Sequence, residues 1–445
     1  MRLSKSFALA IVWLSAFDIP AEAATYFVAV DGDDTHSGTI EQPFATLGRA
    51  QQEVAPGDTV YIRGGTYHVD ASQIALRRRI WAHVFRLNKS GTIAAPIRYW
   101  AYENERPVFD FSAVKPEGLR VHAFSVSGSW LHLRGLEVIG VQVTMKGHTQ
   151  SICFANDGSH NVFEQLSMHD GQAIGVYSVH GSDNLFLNCD AYNNYDSVSE
   201  GGRGGNVDGF GCHPSPGATG NVFRGCRAWF NSDDGFDCIN AAETVRFENC
   251  WAFWNGYSPG FIRRADGNGF KAGGYAGTPA SRLPRPIPRH EVVQCLAVRN
   301  KASGFYANHH IGGCGWLNNT GYRNGTNFNM LSRTEDNADD VPGYGHVLKN
   351  NLSFRGRDLA NVNAEESVIS HNSFVDQVDV SADDFLSLDE QQLIQPRPAS
   401  GELPEIKLLH LAPESDCIDR GVPVGLPFQG TAPDLGAFET NASEK

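Results

Sequence analysis

Gly225-Cys226-Arg227-Ala228-Trp229-Phe230-Asn231 is followed, 24 residues on (249 − 225), by Asn249-Cys250-Trp251-Ala252-Phe253-Trp254-Asn255. The same Cys-x-Ala step, with an asparagine three residues after the alanine, recurs at Asn188-Cys189-Asp190-Ala191 with Asn194 and at Gln294-Cys295-Leu296-Ala297 with Asn300. Phe163-Glu164-Gln165 looks like an earlier copy and Asn350-Asn351-Leu352-Ser353 like a later one. A period of this length signals stacked units. Between the copies run short alternating stretches such as Val245-Arg246-Phe247-Glu248, the two-residue period of a strand. Helical patterns are missing there, which argues against βαβ units. The reading is an all-β, right-handed parallel β-helix. Small Cys and Ala residues face its core, and the asparagines stack as a ladder whose amides satisfy the backbone at each turn. A β-sandwich leaves the recurring asparagine unexplained. The ends of such a coil expose strand edges that need covering. Residues 42–54 are expected to cap the first coil as an amphipathic helix, and residues 381–393 to form another short helix. The coil is taken as residues 24–395, with 396–445 an irregular C-terminal tail packed along its outside.

The rest of the composition bounds the function. Arg2 and Lys5 precede the apolar run from Phe7 to Phe17, and Ala21-Glu22-Ala23 is a small-x-small cleavage site, so residues 1–23 read as a secretory signal peptide. The protein is therefore expected to be secreted, to the medium or the periplasm. No later segment is apolar and long enough to span a bilayer. A net charge of −14 argues against nucleic acid or an anionic membrane as partner. It leaves an acidic polymer open, provided a cation bridges the two. Nine cysteines in an exported chain ordinarily suggest disulfides. Here the number is odd and several fall at one repeating position, so most read as small packing residues and a few as open to pairing. The protein is expected to act as a monomer.

A second ladder runs beside the first. Asp208-Gly209-Phe210-Gly211, Asp234-Gly235-Phe236-Asp237, Asn268-Gly269-Phe270-Lys271 and Ser303-Gly304-Phe305-Tyr306 share the form x-Gly-Phe-x, and Ile174-Gly175-Val176-Tyr177 fits its start. With Phe pointing inward, the residue after it points outward. Coils lie about 4.8 Å apart, so Asp208 stands over Asp234 and Asp237 stands one rung from Lys271. A bend before the strand is needed to bring Asp233 and Asp234 to the side of Asp237. Four carboxylates from two coils, without histidine or thiolate, make a hard oxygen site suited to calcium more than to magnesium or zinc. The competing reading is that these aspartates cap turns and face solvent. Lys271, beside a bound dication, is expected to lose its proton more readily than a free lysine and to serve as a general base.

Asp208 in NVDGFG, Asp233, Asp234 and Asp237 in SDDGFD, and Lys271 in GNGFKAGG resemble the family 9 polysaccharide lyases, calcium-dependent pectate lyases built on a parallel β-helix. The similarity covers nearly all of the mature chain. It implies that the four aspartates bind calcium and that Lys271 is the Brønsted base of a β-elimination. The substrate implied is an acidic plant-type polysaccharide, polygalacturonate first and rhamnogalacturonan as its rival. Cys238 and Ile239, and His309 and His310, depart from the family pattern near the sugar-binding rim. Arg263, Arg264, Tyr306, Asn308, His309, His310 and Arg323 are expected as sugar contacts. Trp251, Trp254 and Trp316 read as packing more than as sugar platforms. A family 28 glycoside hydrolase also uses paired aspartates on a β-helix, but its Gly-His-Gly and Arg-Ile-Lys signatures are missing here. A non-catalytic polysaccharide-binding β-helix gives no role to Lys271.

Overall fold

The structure is a computed structural model that describes residues 23–375 and 378–440; of the expected signal peptide, residues 1–22 lie outside the described residues. No described helix is long and apolar enough to cross a membrane. The chain winds into a right-handed coil whose turns each give one strand to three long sheets of 12, 10 and 11 strands, here called A, B and C. Neighbouring strands are parallel, apart from the hairpin Leu76–Arg78 with Trp81–Leu87 at one end of sheet C and a two-stranded ribbon at Ser332–Arg333 and Asp340–Val341.

The repeat works as the spacing suggests, with one addition. Asn188, Gly225, Asn249 and Gln294 begin each copy because that position takes a left-handed backbone, with φ between 48° and 63°. Asparagine and glycine tolerate it best. The next residue points inward at the A-to-B corner. Cys189 and Cys226 there donate to the carbonyls of Phe163 and Phe186 in the preceding coil, both at 3.3 Å. Further along the coil, asparagine replaces cysteine in the same column. Asn319, Asn351 and Asn372 donate to Val292, Trp316 and Leu348 at 2.9 Å each. All nine cysteines are buried and free, so none of them is paired.

At the B-to-C corner stands the main asparagine ladder. Asn194, Asn231, Asn255, Asn300 and Asn324 are fully or almost fully buried. Each Nδ2 donates to the Oδ1 of the next asparagine at 3.0–3.2 Å, from Asn194 through Asn300. The same Nδ2 groups also reach a main-chain carbonyl of the preceding coil, for example Asn255 to Ala228 at 3.0 Å and Asn300 to Ala252 at 2.8 Å. Inside, Phe210, Phe236, Phe270, Phe305 and Phe328 stack with centroids 4.8–5.3 Å apart.

The first coil is capped by a helix at Leu47–Glu53, shorter than the expected 42–54. Thr46 is its N-cap, and Phe44 is held in a strand bridge to Val28 instead. The expected helix over 381–393 does not form; only 3-10 turns appear, at Ala382–Asp384 and Glu390–Ile394. The last coil strand is Val368–Ser370, and the chain then crosses the outside of sheet B, beginning well before residue 396. Phe385, Leu393, Leu408 and Leu411 there cover Trp251, Phe253 and Trp254. Trp316 lies in the coil interior. All three tryptophans are buried packing residues.

Removing one rung of the asparagine ladder tests this account. Asn255→Ala strips the acceptor from Asn231 and the donor from Asn300 and Ala228, leaving buried polar groups unpaired. The expected cost is about 1–3 kcal/mol. Denaturant titration should show it as a lower midpoint with an unchanged slope.

Candidate active site

The site grows out of the corner that the asparagines hold. Asn231 is locked in the ladder, and the chain turns through Ser232 and Asp233 before entering sheet C at Phe236-Asp237. A side chain at Gly235 would strike Gly269 O at 2.7 Å and Asn255 Nδ2 at 2.9 Å. Only glycine lets the strand start so close to the ladder, and the bend there puts Asp234 on the outward side with Asp237. Carboxylate oxygens of Asp208, Asp234 and Asp237 lie within 4.8 Å of one another, all three residues buried.

Each of these carboxylates has one oxygen fixed by a nitrogen donor. Asp208 Oδ1 accepts from Asp234 N at 3.1 Å, Asp234 Oδ1 from Asn268 N and Nδ2 at 2.7 and 2.9 Å, and Asp237 Oδ1 from Ile239 N at 2.7 Å. The second oxygens are left for a cation. Asp234 Oδ2 is buried and receives no aligned hydrogen bond; the Lys271 ammonium stands 3.0 Å away, and 3.1 Å from Asp237 Oδ2. Asp233 is also buried, but its Oδ1 accepts from Asp266 N at 3.1 Å, beside the converging three. Burial, and then the charges of Asp237, Asp233 and Asp234, push the Asp208 carboxyl well above its ordinary range. Burial and Asp234 do the same to Asp233. Burial alone pulls the Lys271 ammonium down, yet Asp234, Asp237, Asp208 and Asp233 outweigh it and hold its pKa well above the usual lysine value. An excess of buried negative charge that one ammonium only partly offsets suits a hard divalent cation.

The outward column of sheet C carries Tyr177, Gly211, Asp237, Lys271, Tyr306 and Asn329 on successive rungs. Tyr306 thus lies one rung beyond Lys271, and burial pushes its phenol up to about 12. His309 sits at the rim, with Nδ1 2.8 Å from Asp340 Oδ1. Arg263 and Arg264 line a cavity of about 410 Å³ with Arg203 and Lys301, at the turn that carries Asp266.

Three expected sugar contacts are elsewhere or already engaged. His310 is fully buried; its Nδ1 accepts from Gly274 N at 3.1 Å and its Nε2 donates to Pro288 O at 2.8 Å. Asn308 is buried too, and its Nδ2 donates to Gly273 O at 2.6 Å. Both fasten the loop after Tyr306 to the loop after Lys271. Arg323 directly follows the sheet B strand Thr320–Tyr322 and binds Glu390 of the crossing segment at 2.8 Å, on a different sheet from Lys271. Two neighbours escaped the sequence reading. Asn268 orients Asp234, and its place in the x-Gly-Phe-x column was the signal. His213 folds back over Gly211, where a Cβ would meet its Nε2 at 2.8 Å. That nitrogen is buried without a partner, while Nδ1 bonds Ile239 O at 2.7 Å. An outward glycine between two functional rungs was its only sign.

Known proteins are similar to this one over most of the chain. The family described as "Pel9A-like, right handed beta helix region" matches residues 26–351. Pectate lyase L of Dickeya dadantii (strain 3937) is 34% identical over 421 residues, covering 94% of this chain and 90% of that protein. Among solved structures, a rhamnogalacturonan lyase superposes with a TM-score of 0.84 at 48% identity, covering 87% of this chain and 96% of its own. Pectate lyase Pel9A superposes with a TM-score of 0.77 at 32% identity, covering 94% and 96%. A relation that spans the coil from its first strand to its last turns makes this chain a member of the Pel9A-like β-helix family, the family 9 polysaccharide lyases, and a polysaccharide lyase in its own right.

Proposed function

We propose that the protein cleaves a galacturonate-containing pectic polysaccharide by calcium-assisted β-elimination, with Lys271 as the base. The observation that carries this reading is the Lys271 ammonium, 3.0 and 3.1 Å from two of three converging buried aspartates. Asp208, Asp234 and Asp237, with Asp233 beside them, would hold calcium. Bound there, calcium supplies positive charge that relieves the aspartates' grip on the Lys271 proton and makes the hydrogen beside the substrate carboxylate more acidic. Neutral Lys271 takes the proton from C5 of the galacturonate. The C–H electrons form the C4–C5 double bond, and the C4–oxygen bond breaks with its electron pair, the leaving oxygen taking a proton from water. Tyr306, kept protonated by its high pKa, offers a hydrogen-bond donor one rung away. Arg263 and Arg264 supply charge for neighbouring carboxylates, and His309 a polar contact at the rim. Between the two substrates, the 48% identity to a rhamnogalacturonan lyase, against 32% and 34% to pectate lyases, favours rhamnogalacturonan over polygalacturonate.

Lys271→Ala should lower the rate of unsaturated-end formation by about 10²–10⁴-fold, followed by the ultraviolet absorbance of the conjugated product. Lys271→Arg should fail as well, because guanidinium stays protonated at usable pH. Either variant retaining most of the activity removes Lys271 from the reaction.

Chelation should abolish activity, and calcium should restore it better than magnesium or zinc. Asp234→Asn should raise the calcium concentration needed for half-maximal rate. Full activity in excess chelator contradicts the metal assignment.

The rate should also climb with pH above neutral. The aspartates raise the Lys271 pKa, so the base form grows only as pH approaches that value, and more calcium should move the inflection to lower pH. A rate that falls with rising pH, at saturating calcium, contradicts a lysine base.

A further inference from the structure

The sheet C face carries a second site that the chemistry at Lys271 leaves unused. Beyond Tyr177, the outward column continues through Ala155 and Ser125 to Arg86. These small residues floor a cavity of about 580 Å³. Arg78, Arg79, Arg86 and Arg120 line it, with Trp81 and Tyr177 as aromatic walls. The run Leu76-Arg77-Arg78-Arg79-Ile80-Trp81 belongs to the antiparallel hairpin at the end of the sheet, and Arg79 sits in its turn with φ 54°. Among the described residues, none of the four lining arginines makes an ion pair, although Asp157 also lines the cavity. Elsewhere on the coil Arg63, Arg106, Arg224 and Arg246 each hold a glutamate. Two nitrogens lining the cavity, Arg120 Nε and His122 Nε2, are buried with no hydrogen-bond partner. In a chain of net charge −14, four guanidinium groups around one cavity, none in an ion pair and Arg120 held only by the His148 carbonyl at 3.4 Å, call for an anionic ligand.

The cavity and the Lys271 site lie on the same outward column of sheet C. Gly211, between Tyr177 and Asp237, presents no side chain of its own, and the Tyr177 and His213 side chains occupy the space over it. The two rings, 4.6 Å apart, pack against each other there, so a chain that reaches both places runs over them. Counting rungs, Tyr177 is three steps and Arg86 six steps from Lys271, roughly 14 to 29 Å at the usual strand spacing.

We infer that this cavity is a distal subsite for the carboxylates of the same polysaccharide chain that Lys271 cleaves, which fits the protein to long substrates. This inference rests on the lyase reading above. Guanidinium groups pair with carboxylates through two parallel hydrogen bonds, and Trp81 and Tyr177 offer flat faces for the apolar sides of sugar rings. The subsite makes binding depend on chain length, because an oligomer covering only the rungs nearest Lys271 never reaches it.

The test is the ratio of kcat/KM on long chains to kcat/KM on a trimer, for wild type and for the Arg86→Ala, Arg120→Ala double variant, in calcium. Both polygalacturonate and rhamnogalacturonan are used, so that the arms show which carboxylate spacing the arginines read. Arg86 is exposed and Arg120 partly buried, and an unchanged thermal transition verifies the fold. The ratio should fall about tenfold or more on at least one polymer, the size expected for losing a charge-assisted hydrogen bond. A second variant, Ala155→Trp, fills the floor without touching charge and should lower the ratio as well. Wild-type ratios in both variants overturn the distal subsite alone. A wild-type protein inactive on both polymers overturns the lyase reading and this inference together.

Discussion

The vertical alignment of buried asparagines is the constraint on which the rest depends. Each asparagine at the B-to-C corner must satisfy its neighbours above and below, and a coil shifted by one residue would leave several buried amides unpaired. Such groups cost about 1–3 kcal/mol each, so the register is strongly held. Asn231 is one of those rungs, and Ser232, Asp233 and Asp234 follow it directly. The ladder therefore determines where the strand Phe236–Asp237 begins. Once that register is set, Asp237 and Lys271 become partners across neighbouring strands, and Asp234 receives its hydrogen bonds from Asn268 on the next coil.

The same rigidity sustains an arrangement that is unfavourable by itself. Buried carboxylates so close together repel, and burial adds to the cost of their charge. The second oxygens of Asp234 and Asp237 share a single ammonium, that of Lys271, so the cluster is only partly compensated from within the chain. Strained or uncompensated groups of this kind persist where the surrounding structure over-determines them, and they concentrate at functional sites. Lys271 offsets part of the negative charge, which also ties its protonation to whatever else enters the cluster.

Much of this was legible in the sequence because it is periodic. The Cys-x-Ala step, the trailing asparagine and the x-Gly-Phe-x column each recur once per coil, so the fold, the stacking of Asp208 on Asp234 and the pairing of Asp237 with Lys271 follow from spacing. What was not legible lies in the non-periodic connections. Asn308 and His310 look like ordinary polar loop residues, yet the loop folds inward and uses their side chains as fasteners. Arg323 follows sheet B rather than sheet C, and it pairs with Glu390 of the crossing segment. Asn319, Asn351 and Asn372 continue the cysteine column under a different residue type, because an amide and a thiol can both donate to the same carbonyl. The hairpin arginines precede the recognisable repeats, where no spacing marks their direction.

Mass spectrometry of the products from polygalacturonate and rhamnogalacturonan digested in calcium tests the central claim most directly. Elimination at a galacturonate leaves one new end short of a water relative to hydrolysis, and the account predicts such ends from at least one of the two polymers. Fully hydrated ends on both sides of the cut would contradict it, because they would mean that water and not a base at C5 breaks the chain.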